Sequence, residues 1–325
     1  MFHRSLPPLP SLFLLIALAI FSFPATQAAT FTVTNLDDNG PGSLRQAVID
    51  ANADPGNDTI QFQSGLSGTI LLGSGEITIS KSSNYSLTIN GPGANVLAIS
   101  GNNLSRIFHI YSGKITLNGL TLKDGKSSDS GGAIYGIYVD STLTINSCTL
   151  SDNSAPYGGG IFVNTTMTVS NSTLSGNSAT YFGGGINNDQ GAVTVNNSTL
   201  SGNSASYGGG IHNYQGTLIV NNTTLSGNTA TTYGAGVYNN GQSFTIGNSL
   251  LVGNEIYNAT VGAFSSLGHN LFGENGVSGL EGYAVPTSKD FILPGPVSTA
   301  IGPLADNGGP TKTHLPVTGS LAIDH

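Results

Sequence analysis

Leu174-Ser-Gly-Asn177, followed six residues later by Gly183-Gly-Gly-Ile186, is a phrase the chain says repeatedly. Its first half returns as Leu150-Ser-Asp-Asn153, Leu200-Ser-Gly-Asn203, Leu225-Ser-Gly-Asn228 and Leu251-Val-Gly-Asn254, with Asn spacings of 24, 26, 25 and 26 residues. Its second half returns as Gly158-Gly-Gly160, Gly208-Gly-Gly210 and Gly234-Ala-Gly236, each followed by Ile161, Ile211 or Val237. Five residues before each repeat Leu stands Ile145, Val169, Val195, Val220 or Ile246. Inside a unit, apolar residues alternate with Thr, Ser and Asn, as in Leu143-Thr-Ile145 and Val193-Thr-Val195, the period of a strand with one buried face. Units of about 25 residues, with β-branched residues beside Gly and Asn turns, hold three short strands and three turns rather than a helix pair. The expectation is an all-β, parallel β-helix whose rungs stack about 4.8 Å apart. Asn at a fixed corner tolerates left-handed backbone and bonds its neighbours above and below, while Gly supplies positive φ at another corner. Weaker rungs run upstream through Ile70-Leu-Leu72, Ile77-Thr-Ile79, Leu87-Thr-Ile89 and Ile115-Thr-Leu117, for roughly eight to ten rungs in all.

Composition agrees with a solenoid and excludes other classes. Gly is 46 of 325 residues and charged residues are 8%, which rules out a coiled coil or helical bundle. Nine Lys and Arg face seventeen Asp and Glu, and no Lys or Arg lies between Lys126 and Lys289, so phosphate-neutralising nucleic acid binding is not expected. One cysteine excludes a disulfide framework and a multi-Cys metal site. The apolar run Leu12-Phe-Leu-Leu-Ile-Ala-Leu-Ala-Ile-Phe21, Pro24 and Ala25-Thr-Gln-Ala-Ala29 read as a cleavable secretory signal over 1–28. No later stretch is apolar for long enough to span a bilayer.

An open stack leaves its first rung unpaired, and the sequence offers a cover over 29–62. Phe31-Thr-Val-Thr34 reads as a strand and Ser43-Leu-Arg-Gln46 as a capping box opening a helix to about Asn52. Leu44, Ala47, Val48 and Ala51 share one face of that helix. Asp37 and Asp38 are the acidic types calcium uses, but beside Asn39-Gly40 they read as turn residues.

The segment from Phe31 to Phe62, with Ser43-Leu-Arg-Gln-Ala-Val-Ile-Asp-Ala-Asn52 and Asp58-Thr-Ile-Gln-Phe62, resembles the N-terminal module of bacterial surface and secreted right-handed parallel β-helix proteins. The repeat phrases resemble those of polymorphic outer membrane proteins, with Leu where those commonly have Phe. Ser266-Leu-Gly-His-Asn-Leu271, Gly302-Pro-Leu-Ala-Asp-Asn-Gly-Gly-Pro-Thr311 and Gly319-Ser-Leu-Ala-Ile-Asp324 resemble a choice-of-anchor segment, with Leu321 where that pattern prefers Pro. The resemblance implies a single-stranded right-handed β-helix of the pectin-lyase-like kind and an exported, surface location, and it carries over no catalytic residue. The body is expected over 63–275 and the anchor-like segment over 276–325. About 55 residues after the last rung are too few for an autotransporter barrel. Leu315-Pro-Val-Thr-Gly319 matches the sortase pattern without the apolar stretch and basic tail such a signal needs.

Candidate chemistry is sparse. Cys148 aligns with Ser172, Ser198, Thr223 and Ser249 and reads as a ladder position rather than a nucleophile. His212 aligns with Phe162, Asn187 and Tyr238, a varied, outward position with no Ser or acid repeating beside it. The fold also hosts pectin and pectate lyases, which bind acidic polysaccharide through calcium and abstract a proton with a base. Asp124 and Asp152 fall at one offset in successive units, with Lys123, Lys126, Asp129 and Asp140 near in sequence and no Arg expected beside them. They are the alternative metal or catalytic pair. Tyr157, Phe182, Tyr207 and Tyr233 precede the glycine triplets and form an aromatic ladder that packs on itself or offers ring faces to sugars. The reading is an exported, noncatalytic, adhesin-like or structural module without cofactor, whose partner is an extracellular glycan or a cell-surface protein. A polysaccharide lyase on the same fold is the alternative.

Overall fold

The computed structural model describes residues 28–136, 140–274 and 276–322. The expected signal therefore lies outside the described residues, apart from its last position. The chain is a right-handed parallel β-helix. Sheet A has ten strands, from Thr30–Val33 to Phe264–Ser266, and sheet B has ten, from Gly68–Leu71 to Phe291–Ile292. Sheet C has nine, from Ile77–Ser80 to Leu280–Gly282. Among the described residues a fourth sheet, D, holds Ser154–Tyr157, Ser178–Phe182, Ser204–Tyr207 and Thr229–Tyr233, inserted between sheets B and C in chain order.

One rung shows why the repeat folds this way. Ala192–Asn196 buries Val193 and Val195, Thr199–Ser201 buries Leu200, and Ile211–Tyr214 buries Ile211, so the alternating pattern points one face of each strand inward. The repeat leucines pair rung to rung from Leu150 through Leu174, Leu200 and Leu225 to Leu251, all fully buried. Each contributes about 1.5–3 kcal/mol by leaving water.

The corners correct one expectation. Asn153, Asn177, Asn203, Asn228 and Asn254 do bond along the axis: Asn203 Nδ2 donates to Leu174 O (3.0 Å) and Asn228 Oδ1 (2.9 Å), and its Oδ1 accepts from Asn177 N (3.0 Å) and Nδ2 (2.9 Å). The left-handed residue, however, is the one before the Asn: Asp152 at φ 58°, then Gly176, Gly202, Gly227 and Gly253. A side chain whose amide is fully used along the axis needs ordinary backbone; the turn itself falls to the preceding position. A second left-handed corner, between sheets A and B, uses Asn171, Asn197, Asn222 and Asn248. A further ladder runs inside sheet C, where Asn188, Asn213 and Asn239 each donate to the next Asn, ending at Asn258, over 2.6–2.7 Å.

The glycine triplets have two distinct causes. Gly183 takes φ 69° and needs glycine for its conformation. Gly209 does not have positive φ; a Cβ there would lie 2.3 Å from Thr229 O and 2.6 Å from Ala235 O. Ala235 escapes this rule because the following rung runs straight from Asn254 to the strand Ile256–Asn258 and has no sheet D strand to collide with.

The N-terminal cover is present. Helix α1 (Leu44–Ala53) starts at Ser43, whose Oγ accepts from Gln46 N–H (3.2 Å), and it buries Leu44, Ala47, Val48 and Ala51. Only half the capping box forms, because the Gln46 side chain donates to Asp50 instead (2.8 Å). At the far end Lys81, fully buried, donates to Ala51 O and Asp54 O (both 2.6 Å) and to the Asp58 carboxylate. Asp38 ties the turn down by accepting from Arg45 (2.7 Å) and from Gly73 N and Ser74 N (3.0 and 2.6 Å). Beyond the last rung, Ile301–Ala305 and Thr313–Pro316 form an antiparallel hairpin that returns over the outer face of sheet B. Thr173 Oγ1 donates to Lys312 O (2.5 Å), and His314 Nε2 lies 3.0 Å from Ser201 Oγ.

Candidate functional site

Tyr157, Phe182, Tyr207 and Tyr233 close the four strands of sheet D and pair rung to rung. Their rings are neighbours, with centroids 5.9 Å apart for Tyr157 and Phe182, 5.2 Å for Phe182 and Tyr207, and 6.3 Å for Tyr207 and Tyr233. The expected ladder is therefore real, and part of its ring surface is taken up by itself.

A second column, built on the varied outward position of His212, faces it. The outward side chains of sheet C stack in register as Tyr135, Phe162, Asn187, His212, Tyr238 and Tyr257. The triplet of small glycines brings the two columns together across the corner between sheets D and C. Phe182 stacks on His212 (4.6 Å), Tyr207 meets Tyr238 edge-on (5.3 Å), and Tyr233 stacks on Tyr257 (4.3 Å). Along this contact, over the outward face of sheet C, runs a groove of about 590 Å³, whose lining includes Ser130, Asp189, Tyr214 and Asn240.

Electrostatics inside the groove follow from burial. His212 is only 5% exposed, so the outward position expected to be open is covered by its aromatic neighbours. Burial pushes its imidazole down to about 4, leaving it neutral near pH 7. Its Nδ1 lies 2.5 Å from Asn187 Oδ1, which puts the proton there and leaves Nε2 as an acceptor with no partner among the described residues. The Tyr238 phenol is pushed above its ordinary value, first by burial and then by the phenols of Tyr257, Tyr207 and Tyr233. Arg106 closes the N-terminal end of the aromatic column, its guanidinium 4.8 Å from the Tyr135 ring centroid.

The alternative pair occupies equivalent corners of neighbouring rungs. Asp124 and Asp152 are the left-handed corner residues of successive rungs, at φ 52° and 58°, the position later rungs fill with Gly. Asp124 accepts from Ser100 Oγ (3.1 Å) and lies 3.6 Å from Lys123 Nζ. Asp129 leaves that group and pairs with Arg106 (2.5 Å), which also holds Glu76 (2.6 Å) and touches neither Asp124 nor Asp152 in any hydrogen bond or ion pair among the described residues. Arg106 is 23 residues from Asp129 but one rung away, which is why spacing hid it. Burial pushes the Asp129 carboxyl up, and the hydrogen bonds of Ser127 and Ser130 with the Arg106 charge outweigh this and hold it low. Among the described residues no three His, Cys, Asp or Glu gather as a metal site. Cys148 sits in the ladder predicted for it, fully buried, with Cys148 N donating to Ser172 Oγ (3.1 Å) and its thiol pushed up to about 11 by burial.

No family model matches the chain, and no curated protein matches it. Among solved structures it is similar to the pectate lyase Pel9A, at 14% identity over 82% of this chain and 78% of that one, with a TM-score of 0.36. It is similar also to an alginate lyase from Paenibacillus sp. str. FPU-7, at 12% identity over 81% of this chain and 98% of that one, with the same TM-score of 0.36.

Proposed function

We propose that the protein is an exported, noncatalytic glycan-binding β-helix with an adhesin-like or structural role at a cell surface. The observation that carries this reading is the groove itself: aromatic carbon from two facing columns, with Asp189, Asn187, Asn240, His212 Nε2 and phenol oxygens set among the rings. Sugars present apolar C–H faces and hydroxyl edges together, and a surface of aromatic rings interleaved with fixed polar atoms matches both. The repeat phrases and the anchor-like segment, through their resemblance to surface proteins, support the location.

Catalysis finds weak support in the same residues. Asp189 is the one carboxylate among the groove-lining residues, whereas glycoside hydrolysis ordinarily uses two flanking the bond. A lyase needs a base strong enough to take a proton α to a carboxylate, and an imidazole titrating near 4 is poorly matched to that task. The test is retention on immobilised or soluble glycans by the natural protein and by Tyr214→Ala and Tyr238→Ala, with melting followed beside binding. Loss of retention at unchanged melting temperature supports the reading. Unsaturated product from polygalacturonate or alginate that disappears in Asp124→Ala or Asp152→Ala would establish the lyase alternative instead.

A further inference from the structure

We infer that the groove takes a neutral glycan and rejects acidic ones, an inference that rests on the groove being a sugar site. The lining sets one carboxylate and one neutral imidazole among phenols, amides and a hydroxyl, and it has no cation. Asp189 brings a carboxylate, half-exposed and held by nothing stronger than a 3.4 Å contact from Gln190. His212 offers a lone pair at Nε2, because its Nδ1 proton is already given to Asn187. Neither Lys nor Arg lines the groove, and none occurs in the sequence from 127 to 288. The nearest guanidinium, Arg106, is held by Glu76 at 2.6 Å and Asp129 at 2.5 Å and by the carbonyls of Ser130 and Gly131, so its charge and its donors are spent.

Such a lining suits a ligand that donates. A neutral sugar carries only hydroxyls, each able to donate to a carboxylate or an imidazole nitrogen, and vicinal pairs can reach both oxygens of one carboxylate. A uronate places an extra carboxylate on every residue. In this groove it would meet Asp189, lose water from its charge, and find no guanidinium or ammonium to replace it. The columns also run along the solenoid axis, one side chain per rung, so the ligand they fit is an extended chain lying parallel to the axis.

The experiment compares the full protein on neutral polymers (a β-glucan, a galactomannan and a xyloglucan) with polygalacturonate and alginate, by calorimetry at low and high salt. The expected result is binding to at least one neutral polymer, with both uronates weaker by about tenfold or more at low salt. Raising the salt should leave neutral binding unchanged and narrow the gap. Asp189→Lys should weaken the neutral ligand and raise uronate affinity. Uronate binding as tight as neutral binding, and lost in Tyr238→Ala, would overturn the neutral inference while leaving the groove as a sugar site. Failure of every polymer to bind would overturn the sugar-site reading itself.

Discussion

His212 and Asn187 are joined across one rung of sheet C by a 2.5 Å hydrogen bond, and this pair orders the floor of the groove. The imidazole is held between Phe182 at 4.6 Å and Tyr238 at 5.4 Å, so both of its faces are dry. Keeping it neutral is a condition of that packing.

The pH dependence follows with a definite sign. An unfolded histidine takes its proton near 6.5, whereas folded His212 does not until about 4. The unfolded state therefore binds more protons in this window, and stability from this group is complete above about pH 6.5 and lost as the pH falls toward 4. The loss is about 3 kcal/mol and does not grow further below pH 4. His212→Asn, which copies the residue at the preceding rung, should flatten that part of the profile. Urea unfolding of both proteins across pH 4 to 7 measures it, and parallel profiles would refute the assignment.

The buried Asn ladder should be the least tolerant feature of the body. Asn203→Ala removes four hydrogen bonds and strands the groups of Asn177, Leu174 and Asn228 that made them. A loss of about 3 kcal/mol or more is expected. Thr194→Ala, on the outward face of sheet A, should change stability by no more than about 0.5 kcal/mol. Comparable midpoints for the two variants would contradict the ladder's role.

What the sequence discloses and what it hides divide along a physical line. The solenoid, the leucine ladder and the buried face of α1 follow from local periodicity and identity, so Leu200, Asn203 and Cys148 are legible from the repeat and Ala47 from the helical period. The groove is not: the repeat offset aligns Phe162, Asn187, His212 and Tyr238 as one outward column, but their changing type gives no sign that this column meets the aromatic ladder of sheet D. Its facing partner depends on how tightly the glycine corner bends. The Asn188 to Asn258 ladder recurs in the repeat, but strand alternation alone does not tell a buried amide from an exposed one. Lys81 with Asp58, and Arg106 with Asp129, are contacts between rungs or between cap and body, where spacing carries no message.

Gly209 gives a steric test of the corner. Gly209→Ala should destabilise by about 2 kcal/mol or more and Gly209→Val by more, because the added carbon meets two carbonyl oxygens rather than because φ is positive. Ala235→Gly should cost no more than about 1 kcal/mol, the entropy of a freer unfolded chain, since no steric contact changes there. Thermal unfolding of the three variants checks the order, and a tolerated Gly209→Val would refute the contact.

Cys148 should behave as a small packed residue. Its Sγ lies 3.3 Å from Asn146 O, where Ser172 Oγ makes the equivalent bond to Ser170 O at 2.7 Å, so Cys148→Ser keeps the pattern and should change stability by less than about 1 kcal/mol. The native thiol, pushed up to about 11 and fully buried, should stay unreactive to a thiol reagent until the protein unfolds. Rapid labelling of the native protein would contradict this placement.

The central claim concerns where a sugar sits, and a crystal structure with a neutral oligosaccharide bound tests it most directly. The predicted result is a chain lying along the solenoid axis in the groove over the sheet C column, its rings against Tyr207, Tyr214 and Tyr238 and hydroxyls within hydrogen-bond reach of Asp189 and His212 Nε2. An ordered sugar on the Thr-lined outer face of sheet A or beneath the C-terminal hairpin, with the groove left to solvent at saturating ligand, would contradict it.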